Sequence, residues 1–396
     1  MTFSKKTKKF TVAVITPVFP YPKRGILPGI ERYIENLVFS LVKSGIEVKI
    51  LTTYSNGGKR YDYYKGIQIL RILDSRAILG RIGNIFYLNH ITFGLNILIK
   101  RNFKFIQNCN VILFPLAIGF TGFFKLNKYP VISTFHHYDS PKSLIEYLTL
   151  PVYHFLEKRQ LRKSKNIIAV SDFAKKEAIR FYGINENKIK VIPNGVDTDK
   201  FDPSNFSKEI KSEYGDNILL FVGPFVKRKR IPVLLEAMTK VMKVIPDVHL
   251  ILIGDGLLLG DHIKLSDSLG LQKNASFLGF VETELLLKCY ASSDIFIFPS
   301  ELEGFGQVLL EAMASGTPCI CANKDPMAKI LGDAGETFKV NDSEDLSVKI
   351  IELLKDREKL ANLRERSFEI IEKYNLKAIS KQFRKYFEGI VNNKEG

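Results

Sequence analysis

Two glutamates and one run of cations carry the chemistry that can be read in this chain. Glu303 and Glu311 bracket a glycine-rich turn in SELEGFGQVLLEAMASG, Ser300–Gly316. On a continuous helix that spacing would set the two carboxylates roughly 12 Å apart. Paired acid/base carboxylates of glycosidases stand about 5–9.5 Å apart, so a hydrolytic pair is not the natural reading. Hydroxyl-rich groups on either side of a diphosphate fit better, each glutamate accepting charge-assisted hydrogen bonds from a sugar. The plain alternative makes Glu303 a cap of the helix region and Glu311 a solvated surface residue. Lys227-Arg228-Lys229-Arg230 places four positive charges in one loop. In isolation such a run is most often solvated surface, but this one follows a strand, at the edge where ligands bind.

The elements around these residues are those of a parallel α/β protein. Asp294–Pro299, DIFIFP, reads as a buried strand, short, aromatic and β-branched, and stopped by proline. Glu303–Gly306 is a loop whose two glycines let a ligand approach the backbone. Gln307–Ala314 is a helix, with Val308, Leu309, Ala312 and Met313 at apolar spacing and Gly316 with Pro318 as its stop. Strand, glycine loop and helix start is where such proteins hold phosphates, because free N–H groups and the helix dipole favour an anion.

Further upstream, Phe10–Pro17 and Glu47–Thr53 are strands joined by a helix that opens at Gly29 and closes at Gly45. Val111–Phe114 and Val131–Phe135 are two more, the second ending in His136-His137-Tyr138-Asp139 at a ligand edge. Asn166–Val170 is a strand, and Ser171 caps a helix running to Tyr182. A second α/β unit starts at Asn217: strand Ile218–Val222, basic loop Gly223–Arg230, helix Ile231–Val244 and strand His249–Ile253. Gly254, Gly256 and Gly260 miss the dinucleotide-binding spacing by one residue, which disfavours hydride transfer. Leu376–Asn392 is a terminal helix.

Bulk properties bound the class. A chain of 396 residues is long for one core, so two domains are expected. Cys109, Cys289, Cys319 and Cys321 show no metal-type spacing and read as buried reduced thiols in a reducing, cytoplasmic compartment. Ile82–Ile99 is too polar for a membrane span and reads as a core or interfacial helix. With 58 Lys and Arg against 42 Asp and Glu, the net charge of +16 favours nucleic acid, an anionic membrane face or phosphorylated ligands. No nucleic-acid motif accompanies the charge.

The stretch Glu303–Pro318, EGFGQVLLEAMASGTP, closely resembles the hallmark of retaining glycosyltransferases of family 4, two-domain enzymes of the GT-B fold that use nucleotide-activated sugars. Ile168–Phe201, with Pro193-Asn194-Gly195-Val196-Asp197, resembles the family's domain junction. The resemblance implies two Rossmann-like, doubly wound parallel-sheet domains facing a cleft. Residues 1–195 would be the acceptor domain, joined by helix 376–392, and 196–375 the nucleotide-sugar domain. It implies that Glu303 and the backbone of Gly304, Phe305, Gly306 and Gln307 hold the donor sugar and that Glu311 holds the ribose. Lys229 would clamp the diphosphate, His136 would touch the sugar, and Gly29 would approach the phosphates. Phe280 and Val281 belong to a segment, Ala275–Val281, that resembles the family's base-lining backbone. Two departures stand out. Pro224 follows Gly223 where the family carries Arg, leaving Lys227, Arg228 or Arg230 to supply the second charge. Lys329 stands near where relatives place a Glu. Asp197-Thr198-Asp199 is assigned to turn chemistry, and no metal or other cofactor is expected.

The expected reaction moves a sugar from a nucleoside diphosphate sugar to an acceptor hydroxyl with retention, in polysaccharide, glycan or glycolipid synthesis. Arg76, Arg81, Lys100, Arg101 and Lys104, interleaved with an apolar helix within Arg71–Lys104, could present a lipid-linked acceptor at an anionic inner membrane face. An ordinary core helix with basic ends serves equally. Three alternatives stay open: a non-catalytic sugar-nucleotide binder, which Pro224 favours; a GT-B sugar-nucleotide epimerase; and a basic nucleic-acid-binding protein, which would leave the two glutamates unexplained.

Overall fold

The computed structural model describes residues 10–19, 29–54, 59–73, 88–97, 99–116, 129–138 and 144–392. The chain divides into two compact units. Of the described residues, one takes in 10–19, Ile30–Asn194 and 377–392, the other Gly29 and Gly195–Leu376.

The first unit is built on one eight-stranded sheet. Its strands are β1 (Thr11–Ile15), β2 (Glu47–Thr53), β3 (Tyr61–Tyr64), β4 (Ile67–Ile72), β5 (Val111–Phe114), β6 (Val131–Phe135), β7 (Asn166–Ala169) and β8 (Ile189–Val191). They lie in the order β3-β4-β2-β1-β5-β6-β7-β8. All pairs are parallel except the β3–β4 hairpin at the edge. β1 and β5 are buried along their whole length, as continuous apolar runs in the middle of a two-faced sheet must be. The terminal helix Leu376–Asn392 packs Ile379, Phe383 and Phe387 inward, and Arg384 Nη1 donates to the Ser44 carbonyl at 3.0 Å.

Of the two readings of the helix within 71–104, the described residues follow the core one, and the single long helix is corrected. Arg71 lies in β4 with 0% exposure; its Nη1 donates to Asp62 Oδ2 and to the Lys59 carbonyl, each at 2.9 Å. Two helices, Leu88–Ile97 and Lys100–Ile106, replace the single long one, broken at Ile99 by an extended ψ of 120°. Phe93 and Ile97 are core residues beside Leu70 and Ile72, so the apolar face points into the sheet. Arg76 and Arg81 lie outside the described residues. Among the described residues no helix is long and apolar enough to cross a membrane.

The second unit carries six parallel strands: β9 (Asn217–Val222), β10 (Val248–Ile253), β11 (Ala275–Gly279), β12 (Ile295–Phe298), β13 (Cys319–Ala322) and β14 (Gly335–Phe338). Their order, β11-β10-β9-β12-β13-β14, is the doubly wound 3-2-1-4-5-6 arrangement. The winding reverses between β9 and β12, and ligands of such sheets bind outside the carboxyl ends of the strands at that reversal. Both charged loops singled out in the sequence leave the sheet there.

All four cysteines are free and buried. Burial pushes the Cys109 thiol up to about 11 and those of Cys289 and Cys321 up to about 12, so none is a thiolate at neutral pH.

Candidate functional site

The loops after β9 and β12 are fastened to each other by backbone and by charge. After β9, Gly223 and Pro224 lead into a single 3₁₀ turn, Lys227–Lys229, which ends at Arg230 in the left-handed region with φ 51°. The helix Ile231–Val241 starts there, with Pro232 in its first turn. After β12, Glu301 N donates to the Arg228 carbonyl at 2.9 Å, and Arg230 Nε donates to Glu301 Oε2 at 2.7 Å. Arg228 also donates from Nη1 to the Leu302 carbonyl at 3.0 Å.

Three charges converge at the centre. A single oxygen, Glu303 Oε1, accepts from Arg228 Nη1 and from Lys229 Nζ, the latter at 2.8 Å. The Glu303 side chain is only 12% exposed. Lys229 is buried, with its ammonium 4.5 Å from the centre of the Phe298 ring at the end of β12. Burial lowers the Lys229 pKa from its ordinary range, against the attraction of Glu303. Burial alone would raise the Glu303 carboxyl, but Lys229 and Arg228 outweigh it and hold the group below the usual carboxylate value. The site is thus a compact, charged constellation with two cations to one anion, able to hold a further anion.

The floor of this site is a glycine pair that the sequence reading used only to argue against hydride transfer. Gly254, at the end of β10, has φ 138°, and a Cβ there would meet the Gly223 carbonyl oxygen at 2.0 Å. A Cβ on Gly256 would stand 2.6 Å from the Phe225 oxygen. Hydrogen bonds seal the approach: Gly223 N to Ile253 O and Phe225 N to Asp255 O, both 2.9 Å. Gly223 itself leaves room for the stem of Lys229, whose Cε a Cβ would meet at 3.3 Å. The signal in the sequence was Gly-x-Gly directly after a strand that pairs with β9, a pairing visible only in the folded sheet.

The glycine loop before the helix Gln307–Ala314 is also in place. Gly306 adopts φ 102° at the helix start, and Gly304, Phe305 and Gln307 are buried. Phe305 meets Tyr374 edge-on, with ring centres 6.0 Å apart, and Gln307 Nε2 donates to the Gly195 carbonyl at 3.1 Å. Glu311 is 0% exposed and accepts from Tyr290 Oη at 3.1 Å, so the solvated-surface alternative is corrected: the helix turns this residue into the unit and not outward. Past β11, Phe280 is 62% exposed while Val281 is buried.

In the first sheet, His136 follows β6, and its Nε2 donates to the Pro115 carbonyl at 2.7 Å beside the end of β5. Its ring meets Tyr33 edge-on at 4.7 Å. Gly29 opens the helix that joins β1 to β2, with open space where a Cβ would project. Asp139 and Val18–Pro28 beyond Phe19 lie outside the described residues. Asp197 forms a turn, its carbonyl accepting from Lys200 N and Phe201 N, and Lys329 is exposed on the short helix Met327–Leu331. Among the described residues no group of three or more His, Cys, Asp or Glu is placed to hold a metal ion.

Two parallel-sheet α/β units, the second doubly wound with two cations, a glycine floor and a glycine-led helix at its reversal point, make an α/β architecture of GT-B type. The comparisons agree. Residues 28–200 match the family described as Glycosyltransferase Family 4, and residues 203–369 match Glycosyl transferases group 1. The chain is 30% identical over 273 residues to phosphatidyl-myo-inositol mannosyltransferase of Mycobacterium leprae, covering 67% of this chain and 68% of the relative. It therefore belongs to the family 4 glycosyltransferases. Across the curated relatives it matches, the chain spans from about half to about two thirds of their length. Among solved structures, sucrose-phosphate synthase of Thermosynechococcus elongatus superposes with a TM-score of 0.80 at 20% identity, over 97% of this chain and all of that one (100%). Anabaena HepE in complex with UDP superposes with a TM-score of 0.72 at 18% identity, over 96% and 100%. At such identities these two bear on the fold.

Proposed function

We propose that this protein transfers a sugar from a nucleoside diphosphate sugar to an acceptor hydroxyl with retention of anomeric configuration. The single observation that carries the reading is the convergence of Arg228 Nη1 and Lys229 Nζ on one carboxylate oxygen at the reversal point of the second sheet. In the reaction the bond from the anomeric carbon to the diphosphate oxygen breaks, and the acceptor oxygen bonds that carbon from the same face. The acceptor proton leaves with the departing phosphate oxygen. Negative charge grows on the leaving diphosphate, and preorganised cations there lower the barrier more than they strengthen ground-state binding. Arg228 takes the part of the arginine that Pro224 displaces, and Lys229 keeps the family position. With the helix start at Gly306–Gln307 they offset the diphosphate charge from side chains and backbone, without a bound metal.

In this reading Glu303 and the loop Gly304–Gln307 orient the donor sugar, Glu311 the ribose, Phe280 and Val281 the base, and Arg230 the loop itself. The family resemblance assigns His136 and Gly29 to the donor as well, and the first unit takes a glycan or lipid-linked acceptor. The four buried thiols support work in a reducing cytoplasm, and the net charge of +16 supports contact with an anionic inner membrane face. UDP, GDP, ADP and their sugars, screened by thermal shift on wild type and Lys229→Ala, test the donor site. A nucleotide at about a hundred times its dissociation constant adds about 2.7 kcal/mol of stability. One nucleotide should shift wild type and lose its effect in the variant; equal shifts in both would refute the role of Lys229. Transfer to an acceptor separates catalysis from binding alone.

A further inference from the structure

Glu303 has the geometry of an internal competitor as well as of a sugar ligand. Its Oε1 holds two cations at once, Arg228 and Lys229, the pair that the donor reading assigns to a diphosphate. The neighbouring carboxylate, Glu301, is engaged instead by Arg230. The pair is well shielded, with the Lys229 side chain 5% and the Glu303 side chain 12% exposed, so charge interactions there are strong. A diphosphate can take both cations only if Glu303 gives them up. A buried carboxylate stripped of its partners and placed beside another anion is unfavourable, unless hydroxyl donors replace what it lost.

An intact sugar nucleotide brings those hydroxyls on its transferable sugar; a bare nucleoside diphosphate has only its ribose hydroxyls, assigned above to Glu311, and carries more negative charge on its terminal phosphate. Resting on the donor reading given above, we infer that Glu303 discriminates between the two: it exchanges cations for sugar hydroxyls when the donor binds, and returns to Arg228 and Lys229 once the sugar has left, displacing the nucleotide product. The same carboxylate thereby sets specificity for intact donor and promotes product release.

Calorimetric titration with UDP, UDP-glucose, GDP, GDP-mannose and inorganic pyrophosphate tests this on wild type, Glu303→Gln and Lys229→Ala. Glu303→Gln keeps the shape and removes the charge. It should bind the bare nucleotide and pyrophosphate at least tenfold tighter than wild type, about 1.4 kcal/mol, while affinity for the intact donor stays the same or falls. Pyrophosphate should also raise the melting midpoint of Glu303→Gln more than that of wild type. If Glu303→Gln does not fold, Glu303→Ala must give the same sign. Unchanged or weaker binding of the bare nucleotide in a folded variant, with Lys229→Ala still abolishing it, overturns the competitor role and leaves the donor site standing. Absence of nucleotide and pyrophosphate binding in every form overturns the donor reading and this inference with it.

Discussion

Gly254→Ala isolates the floor of the site from its charges. The added Cβ would lie 2.0 Å from the Gly223 carbonyl oxygen and 2.9 Å from its carbon, both main-chain atoms that no rotamer change can move. The residue also sits at φ 138°, which L side chains rarely adopt. Overpacking of this kind costs about 1–3 kcal/mol and a backbone held in a disallowed region about 1–3 more, so a loss of about 3–5 kcal/mol is expected. In a domain of this size each kcal/mol shifts the melting midpoint by about 2–4 °C, giving a drop near 10 °C in the second unit's transition. The chain has no tryptophan, so calorimetry and far-ultraviolet dichroism are the assays. Relief can come only by pushing Gly223–Phe225 away from β10, and that loop carries Lys229, so donor affinity should fall as well. Gly260→Ala is the control: a Cβ there meets nothing within 4 Å, and in the helix Leu259–Ser268 alanine should gain up to about 1 kcal/mol. A Gly254→Ala protein that melts within 1 °C or so of wild type and binds donor normally would refute the reasoning.

Two further outcomes follow from the charges. The Glu303 carboxyl is held below its ordinary value of 4.5, so it stabilises the folded chain above that value and the contribution is lost as pH falls through the lower, folded one. The midpoint difference between wild type and Glu303→Gln, measured by calorimetry at neutral pH, should therefore shrink on acidification toward pH 3; a constant difference would contradict the pairing. Arg71→Met removes a buried guanidinium and takes the cation from Asp62, which is partly exposed and keeps the Tyr63 N–H, at a cost of about 2 kcal/mol. The added change Asp62→Asn should recover part of that loss in denaturant titration, and additive losses would rule the ion pair out as its source.

What the sequence made legible and what it hid divide along a physical line. β1, β5, β6 and β12 were readable because a parallel strand buried on both faces needs an unbroken apolar run, and such runs are local. The hairpin β3–β4 was hidden because its logic is not local. Lys65 and Gly66 turn the chain through positive φ angles, and only then does Asp62 stand across from Ile69, next to the strand position of Arg71. Alone, Arg71 reads as one more basic surface residue.

The same line runs through the site. Glu303, Glu311 and the basic run could be found by type and spacing, but the run's four charges look alike in sequence. The turn Lys227–Lys229 and the left-handed Arg230 sort them: Lys227 is exposed, Arg228 and Lys229 meet Glu303, and Arg230 meets Glu301. Gly254 shows the limit most plainly, since its constraint is the carbonyl of Gly223, thirty-one positions away in the chain and one strand away in the sheet. Residue type announces which chemistry a loop can do. Which charges act together is decided by the sheet order that lays one loop over another, and in this protein that order places the competing carboxylate and both cations at the single point where the winding reverses.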